Sequence, residues 1–252
     1  MSLWIVTGDG DSLSIGGNHT IHLLRRNFDV NVLLFNNEIY GLTKGQYSPT
    51  SEQRKITKSS PVGSIDHPFN PAALALGADA TFVARTMDRD PKHLQEMLLR
   101  SAHHKGSSFL EIYQNCNIFN DGAFEIFTDK KTKSEEAIFL VHDQPLIFGA
   151  EKNKGIRLNG LKPEVVELDG NVSENDLWIH DEKDFYKAQI LTRMYDDPKL
   201  SHHFPRPFGV FYETERPCYE NIMHQQINDA QSKGLGDLDK LLRGREVWTI
   251  LE

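Results

Sequence analysis

Two short motifs hold the residues whose types and spacing could do chemistry. Gly8-Asp9-Gly10 ends one apolar run and Asn36-Asn37 ends another, with 25 residues between Gly10 and Asn36. Glycines at a strand tip let the backbone approach a phosphate closely, and a following helix aims its amide dipoles at the same place. Asp9 decides the chemistry, because a carboxylate beside a diphosphate is repelled unless a divalent cation neutralises both. Asp9, the Asn37 side-chain oxygen and the backbone carbonyl of Ile39 would give half of an octahedral shell of hard oxygens. Magnesium completes such a shell with phosphate oxygens and water.

Other readings of the same residues are weaker. A dinucleotide fingerprint G-x-G-x-x-G starting at Gly8 has Leu13 in its sixth position and an acid in its second, so it fails twice. Taken alone, Asp9 could be a helix cap and Asn36-Asn37 a simple turn. Their joint placement at two strand tips argues against coincidence. His19 and His22, His103-His104 and His202-His203 form pairs, but none has a third ligand at metal-site spacing, so packed or surface histidines are the plainer reading.

The elements that must position these tips alternate between strand and helix. Residues 3–7 are a continuous apolar run stopped by glycine, as expected of a strand buried on both faces. A helix over residues 12–27 and a strand over 30–35 follow. Asn70-Pro71 and Asp90-Pro91 each read as a cap followed by proline at the first helical position. Strands are expected at 81–84 and 108–113, and helices at 185–195 and 219–233. Residues 50–64 and 128–136 read as polar surface loops, and residues 139–168, split by Gly149, Gly155 and Gly160, as a small antiparallel elaboration. The pattern predicts an α/β fold with a doubly wound, mostly parallel sheet. It divides the chain into a cofactor domain over residues 1–127 and a C-terminal extension over 128–252.

Composition narrows the function classes. Of the 252 residues, 38% are hydrophobic and 25% charged, enough apolar content for a sizeable core and no bias toward disorder. A formal charge of -8 is a poor match for duplex nucleic acid or an anionic membrane, which both call for clustered positive charge. Two cysteines, Cys116 and Cys218, exclude a disulfide scaffold and point to a reducing, cytoplasmic setting. No apolar run near the start is long enough for a signal peptide or a membrane span.

Gly8-Asp9-Gly10 with Asn36-Asn37 is similar to the thiamine diphosphate motif. The longer text is more specific: Asp11-Ser12-Leu13-Ser14-Ile15-Gly16-Gly17-Asn18-His19 after the first motif, and residues 40–50 (YGLTKGQYSPT) after the second. It resembles the β subunits of 2-oxoacid:ferredoxin oxidoreductases, in particular their 2-oxoglutarate branch. The resemblance continues through Gln114-Asn115-Cys116 and Phe119-Asn120-Asp121-Gly122, and more loosely to the C-terminus.

That resemblance implies oxidative decarboxylation of a 2-oxoacid, 2-oxoglutarate first among them, to its coenzyme A thioester, with electrons passed to ferredoxin. It implies a thiamine-diphosphate-binding fold in which Asp9, Asn37 and the Ile39 carbonyl hold Mg2+. Gly8, Gly10, Asp11, Gly41, Leu42 and Thr43 line the cofactor, and Lys44 meets a substrate carboxylate. Cys116 matches the last ligand of the family's [4Fe–4S] cluster. No catalytic residue is assigned within this chain alone, because the α subunit supplies the glutamate that activates the cofactor. Cys218 has no matching role. The other three cluster cysteines lie in an N-terminal part of the family's β subunit that this sequence does not show. The chain is therefore expected to be a shortened β subunit, without a cluster and prone to aggregate alone. A non-catalytic cofactor-binding and docking module, and a redox-neutral thiamine diphosphate enzyme, are the alternatives.

Overall fold

The computed structural model describes all residues except 1, 171, 196–203, 235, 246–247, 249 and 251–252. Four parallel strands form its centre: β1 (Trp4–Gly8), β2 (Asn31–Asn36), β3 (Phe82–Met87) and β4 (Ser108–Tyr113), arranged β1-β2-β4-β3. Between β1 and β2 lie a π-helical turn (Asp11–Ile15) and α1 (Gly17–Arg26). The expected single helix is broken there, because two glycines of poor helix propensity meet at Gly16-Gly17, and the Gly16 amide reaches back to Asp11. α2 (Pro71–Gly77) precedes β3, and α3 (Pro91–His103) joins β3 to β4. Both start as expected: the Asn70 and Asp90 side chains accept from the amides of Ala73 (3.0 Å) and His93 (3.2 Å), caps typically worth about 1 kcal/mol each.

The helices cover both faces, which defines the α/β class. α1 and α2 bury Leu24, Ala72, Ala75 and Leu76 against Val32 and Leu34 of β2. On the other face Met97 of α3 packs with Leu33, Phe82, Leu110 and Ile112. β1 departs from expectation. It is the edge of the sheet, and Val6 is 66% exposed rather than buried. The reason is geometric: α3 packs on β3 and β4, leaving the outer part of that face open.

The remainder begins with the short α4 (Glu125–Thr128) and α5 (Lys133–Glu136) and with β5 (Ala137–Phe139). The antiparallel elaboration is present as β6 (Ile147–Phe148), β7 (Lys154–Asn159) and β8 (Lys162–Glu167). α6 (Phe185–Arg193) leads to β9 (Arg206–Glu213), an element not read from the sequence, and α7 (Tyr219–Ser232) and α8 (Leu238–Arg243) follow. β9 pairs antiparallel with β3, and β5 pairs with β9, so the six-stranded order is β1-β2-β4-β3-β9-β5. The expected division at 127/128 thus separates stretches of sequence that share one sheet. Residues 128–136, expected to be a solvated loop, contain α5 and are pinned by Lys133–Asp90 (2.7 Å) and Lys154–Glu135 (2.8 Å).

Candidate cofactor site

β1 and β2 are in register, Gly8 opposite Phe35. Asp9 and Asn36-Asn37 therefore emerge side by side at the carboxyl edge, where open parallel sheets bind ligands. Asp9 is only 2% exposed. The Thr50 hydroxyl donates to its Oδ2 at 2.7 Å, and the nearby Ser48 hydroxyl and Asn37 backbone amide favour its charged form. Burial outweighs these donors and pushes the Asp9 carboxyl above its ordinary value. A buried acid short of positive charge suits a cation-binding place.

The neighbouring backbone is closely packed. A Cβ on Gly10 would come within 2.0 Å of the Tyr40 ring, so only glycine fits. The Tyr40 hydroxyl donates to the Gly10 carbonyl at 3.2 Å. Asn37 Oδ1 accepts from the Ile39 amide at 3.3 Å, a local turn that sets both potential metal donors on one short loop. Residues 41–45 form an exposed turn, closed by Lys44 N to Gly41 O (3.1 Å) and Gly45 N to Tyr40 O (3.0 Å). Gly41, Leu42, Thr43 and Lys44 are all exposed on it, and Lys44 sits in the left-handed region at φ 67°. Asp11 opens the π-helical turn, exposed, with its Oδ2 3.7 Å from where a Cβ of Gly8 would stand.

Cys116 lies in the loop after β4, partly exposed. Its carbonyl accepts from the Asn120 amide at 2.9 Å, and the Asn120 side chain donates to the Asn37 carbonyl at 2.9 Å. Asn120 thereby ties the cysteine loop to the cofactor loop. Cys218 is buried just before α7, next to the Tyr219 amide that donates to the Asn27 carbonyl. Asn27 leads into β2, so the two cysteines occupy opposite ends of the sheet. His19, His22 and His103 are exposed, and His104 is buried against the Thr81 hydroxyl (2.8 Å). The His202-His203 pair lies outside the described residues. Among the described residues, no group of three or more His, Cys, Asp or Glu could hold a metal ion.

Several residues around the tips were not legible as site residues. Asn36 Nδ2 donates to Glu111 Oε1 at 2.8 Å, and Arg85 Nε bridges to Glu111 Oε2 at 2.7 Å with both side chains within 1% of full burial. The available signal was an ionisable residue inside each of two apolar strands, Arg85 of β3 and Glu111 of β4, which are register partners. Glu38, with φ 56°, follows the tip of β2, and burial pushes its carboxyl up to about 8. Behind the tips opens a cavity of about 990 Å³ reached by Asn36, Glu38, Thr50, Tyr113 and Arg206. Asp9 and Gly10 are not among its lining residues.

Comparisons with known proteins place the chain in a family. The family model described as "Thiamine pyrophosphate enzyme, C-terminal TPP binding domain" matches residues 2–112. The chain is 46% identical, over 256 residues, to the 2-oxoglutarate oxidoreductase subunit KorB of Mycobacterium tuberculosis, covering 99% of this chain and 67% of that one. It is 44% identical, over 253 residues, to the 2-oxoacid:ferredoxin oxidoreductase subunit beta of Saccharolobus solfataricus, covering 95% of this chain and 71% of the relative. Among solved structures, the 2-oxoglutarate:ferredoxin oxidoreductase from Magnetococcus marinus, with 2-oxoglutarate, coenzyme A and succinyl-CoA bound, superposes with a TM-score of 0.66 at 26% identity. That match covers 93% of this chain and 64% of the other. The chain thus spans about two thirds of the length of these relatives. With a thiamine-diphosphate-binding domain and relatives of this identity and coverage, the chain belongs to the β subunits of the 2-oxoacid:ferredoxin oxidoreductases.

Proposed function

We propose that this chain holds the diphosphate end of thiamine diphosphate through Mg2+, and works with an α subunit in converting 2-oxoglutarate to its coenzyme A thioester, with ferredoxin as electron acceptor. One observation carries this reading: the buried Asp9 carboxylate, short of positive charge, beside Asn37 at paired strand tips. The donor set is all hard oxygen, as magnesium requires, and the Tyr40 ring packed against the buried Gly10 holds that part of the backbone in place beside Asp9. Asp9, the Asn37 side chain and the Ile39 carbonyl would hold the cation. Gly8, Gly10, Asp11, Gly41, Leu42 and Thr43 would face the cofactor. When bound, the cofactor supplies the electron sink for loss of carbon dioxide. This chain's part is to bind and orient it, and to place the Lys44 ammonium at the rim for a substrate carboxylate.

A [4Fe–4S] cluster does not fit the cysteines of this sequence. Such a cluster takes four thiolates, and the two present stand at opposite ends of the sheet. Cys116 is suited to one corner only. This separation is also what favours the second reading, a cofactor-binding and docking module without electron transfer. A cytoplasmic setting belongs to the proposal as well. Among the described residues no helix is long and apolar enough to cross a membrane.

The test is an anaerobic assay of the chain co-purified with its α subunit, with an iron determination on the same sample. Ferredoxin reduction dependent on 2-oxoglutarate and coenzyme A is the expected result. Cofactor binding without any electron transfer would overturn the enzymatic reading in favour of the docking module.

A further inference from the structure

Thr50 lies 41 residues from Asp9 in sequence, yet its hydroxyl is 2.7 Å from Asp9 Oδ2. The same oxygen is 3.0 Å from Asn36 Oδ1 and 3.2 Å from the Ser48 hydroxyl. Thr50, Ser48, Asp9 and Asn36 are each less than 5% exposed. The orientation of the Asn36 amide is set from below. Glu111 beside Arg85 can only accept, so the Asn36 NH2 faces Glu111 and its oxygen faces Thr50. A continuous buried chain, Arg85–Glu111–Asn36–Thr50–Asp9, therefore runs from the middle of the sheet to the tip of β1. A fully buried ion pair is weak evidence of stabilisation in itself. Its placement at the root of this chain gives it a reason to exist.

We propose that Thr50 is a positioning residue for the cation: its one hydroxyl proton, directed at Oδ2 of Asp9 at 2.7 Å and shared with Oδ1 of Asn36 at 3.0 Å, engages Oδ2 and leaves Oδ1 to the metal, while the Arg85–Glu111 pair sets the orientation of the Asn36 amide beside it. This rests on the reading of Asp9 as a magnesium ligand, and it extends that reading to side chains that would act on the cation through Asp9. Partners of this kind orient metal ligands, and their removal typically costs roughly 10- to 100-fold in metal affinity.

The experiment titrates Mg2+ at saturating thiamine diphosphate into the full chain co-purified with its α subunit, and reads cofactor binding by calorimetry. Thr50→Val keeps the shape and removes the hydroxyl, whereas Thr50→Ser keeps the hydroxyl. The expected result is a Mg2+ midpoint raised roughly 10- to 100-fold in Thr50→Val and restored close to wild type in Thr50→Ser. Thr50→Ala, which removes the hydroxyl without adding a methyl against the carboxylate, provides the deletion if Thr50→Val does not fold. Thermal unfolding of each variant separates binding from folding. Equal losses in Thr50→Ser and the hydroxyl deletions would assign the effect to packing and overturn the proposal. So would a wild-type midpoint in the hydroxyl deletions while Asp9→Ala fails to bind. A wild-type midpoint in Asp9→Ala itself would instead remove the underlying cofactor reading.

Discussion

At the scale of single residues, the site is a matter of which polar groups are buried and what they lack. Asp9 stands out in the sequence as a candidate because its neighbours are glycines and because Asn36-Asn37 stands at a second strand tip. Thr50 does not, because its contact with Asp9 exists only once the 50–64 loop folds back over the tips, and nothing in a polar Ser/Thr-rich stretch marks one hydroxyl among many. Lys44 is exposed on its turn, so removing it leaves the packing untouched. Lys44→Ala in the assembled enzyme should therefore raise the KM for 2-oxoglutarate with unchanged cofactor affinity. A charge-assisted contact of this type is worth about 1.5–3 kcal/mol, or roughly ten- to a hundredfold. Unaltered steady-state constants in the variant would make Lys44 an ordinary solvated lysine. His180 allows a pH prediction with a defined sign. Its ring is fully buried, its Nε2 is 2.8 Å from the Val210 carbonyl, and burial holds it below the ordinary 6.5. Below about pH 6.5 the unfolded chain takes up a proton that the folded chain refuses, so this residue's contribution to stability falls as pH drops. Glu38, raised to about 8, has the opposite sign. The readout is therefore a difference: the loss of thermal stability from pH 7.5 to 5.5 should be smaller in His180→Asn than in wild type, and an equal or larger loss would be the contrary outcome.

At the scale of elements, legibility followed regularity. β4 has the bounds that its apolar run suggests, Ser108–Tyr113, and the helices announced by Asn70-Pro71 and Asp90-Pro91 begin there. β9 was hidden because Pro205, Pro207 and Gly209 punctuate it as a loop would be punctuated. Its pairing with β3 shifts register between Val83 and Ala84, and Gly209 has φ 121° where a Cβ would meet the Leu140 carbonyl at 2.8 Å. Only tertiary pairing makes that segment a strand. The burial of β1 was misjudged for a related reason: an apolar run reports that a strand can be buried, not whether a neighbour covers it. Two predictions belong here. Glu111→Ala removes the carboxylate that Arg85 Nε bridges to at 2.7 Å, and breaking a buried pair in this way costs about 3–5 kcal/mol. Chemical denaturation should show that loss, and a change below about 1 kcal/mol, typical of exposed pairs, would mean that the pair does not behave as buried. On the open edge, Val6→Lys places a charge where apolar edges invite association. Light scattering of the chain alone should show less aggregate in the variant, and equal aggregation would locate the sticky surface elsewhere.

At the scale of the whole molecule, the sheet gives the two ends of the chain's chemistry different addresses. The carboxyl edge collects Asp9, Asn37, the Lys44 turn and the Cys116 loop, the last drawn in by Asn120. The amino edge holds Cys218 and a structural network through Asn27, Thr81 and His104. The sequence pattern anticipated the first grouping, since all its members follow strands. The sharing of one sheet by residues on both sides of position 127 depends on β9 and was beyond local pattern. What everything at the carboxyl edge presupposes is a diphosphate held by a cation on Asp9. Calorimetric titration of thiamine diphosphate into the complex with its α subunit, with and without Mg2+, tests this in wild type and in Asp9→Ala. Binding should occur in wild type only with Mg2+ present and should be abolished in Asp9→Ala. Binding of equal affinity in the variant, or binding in wild type that ignores Mg2+, would contradict it.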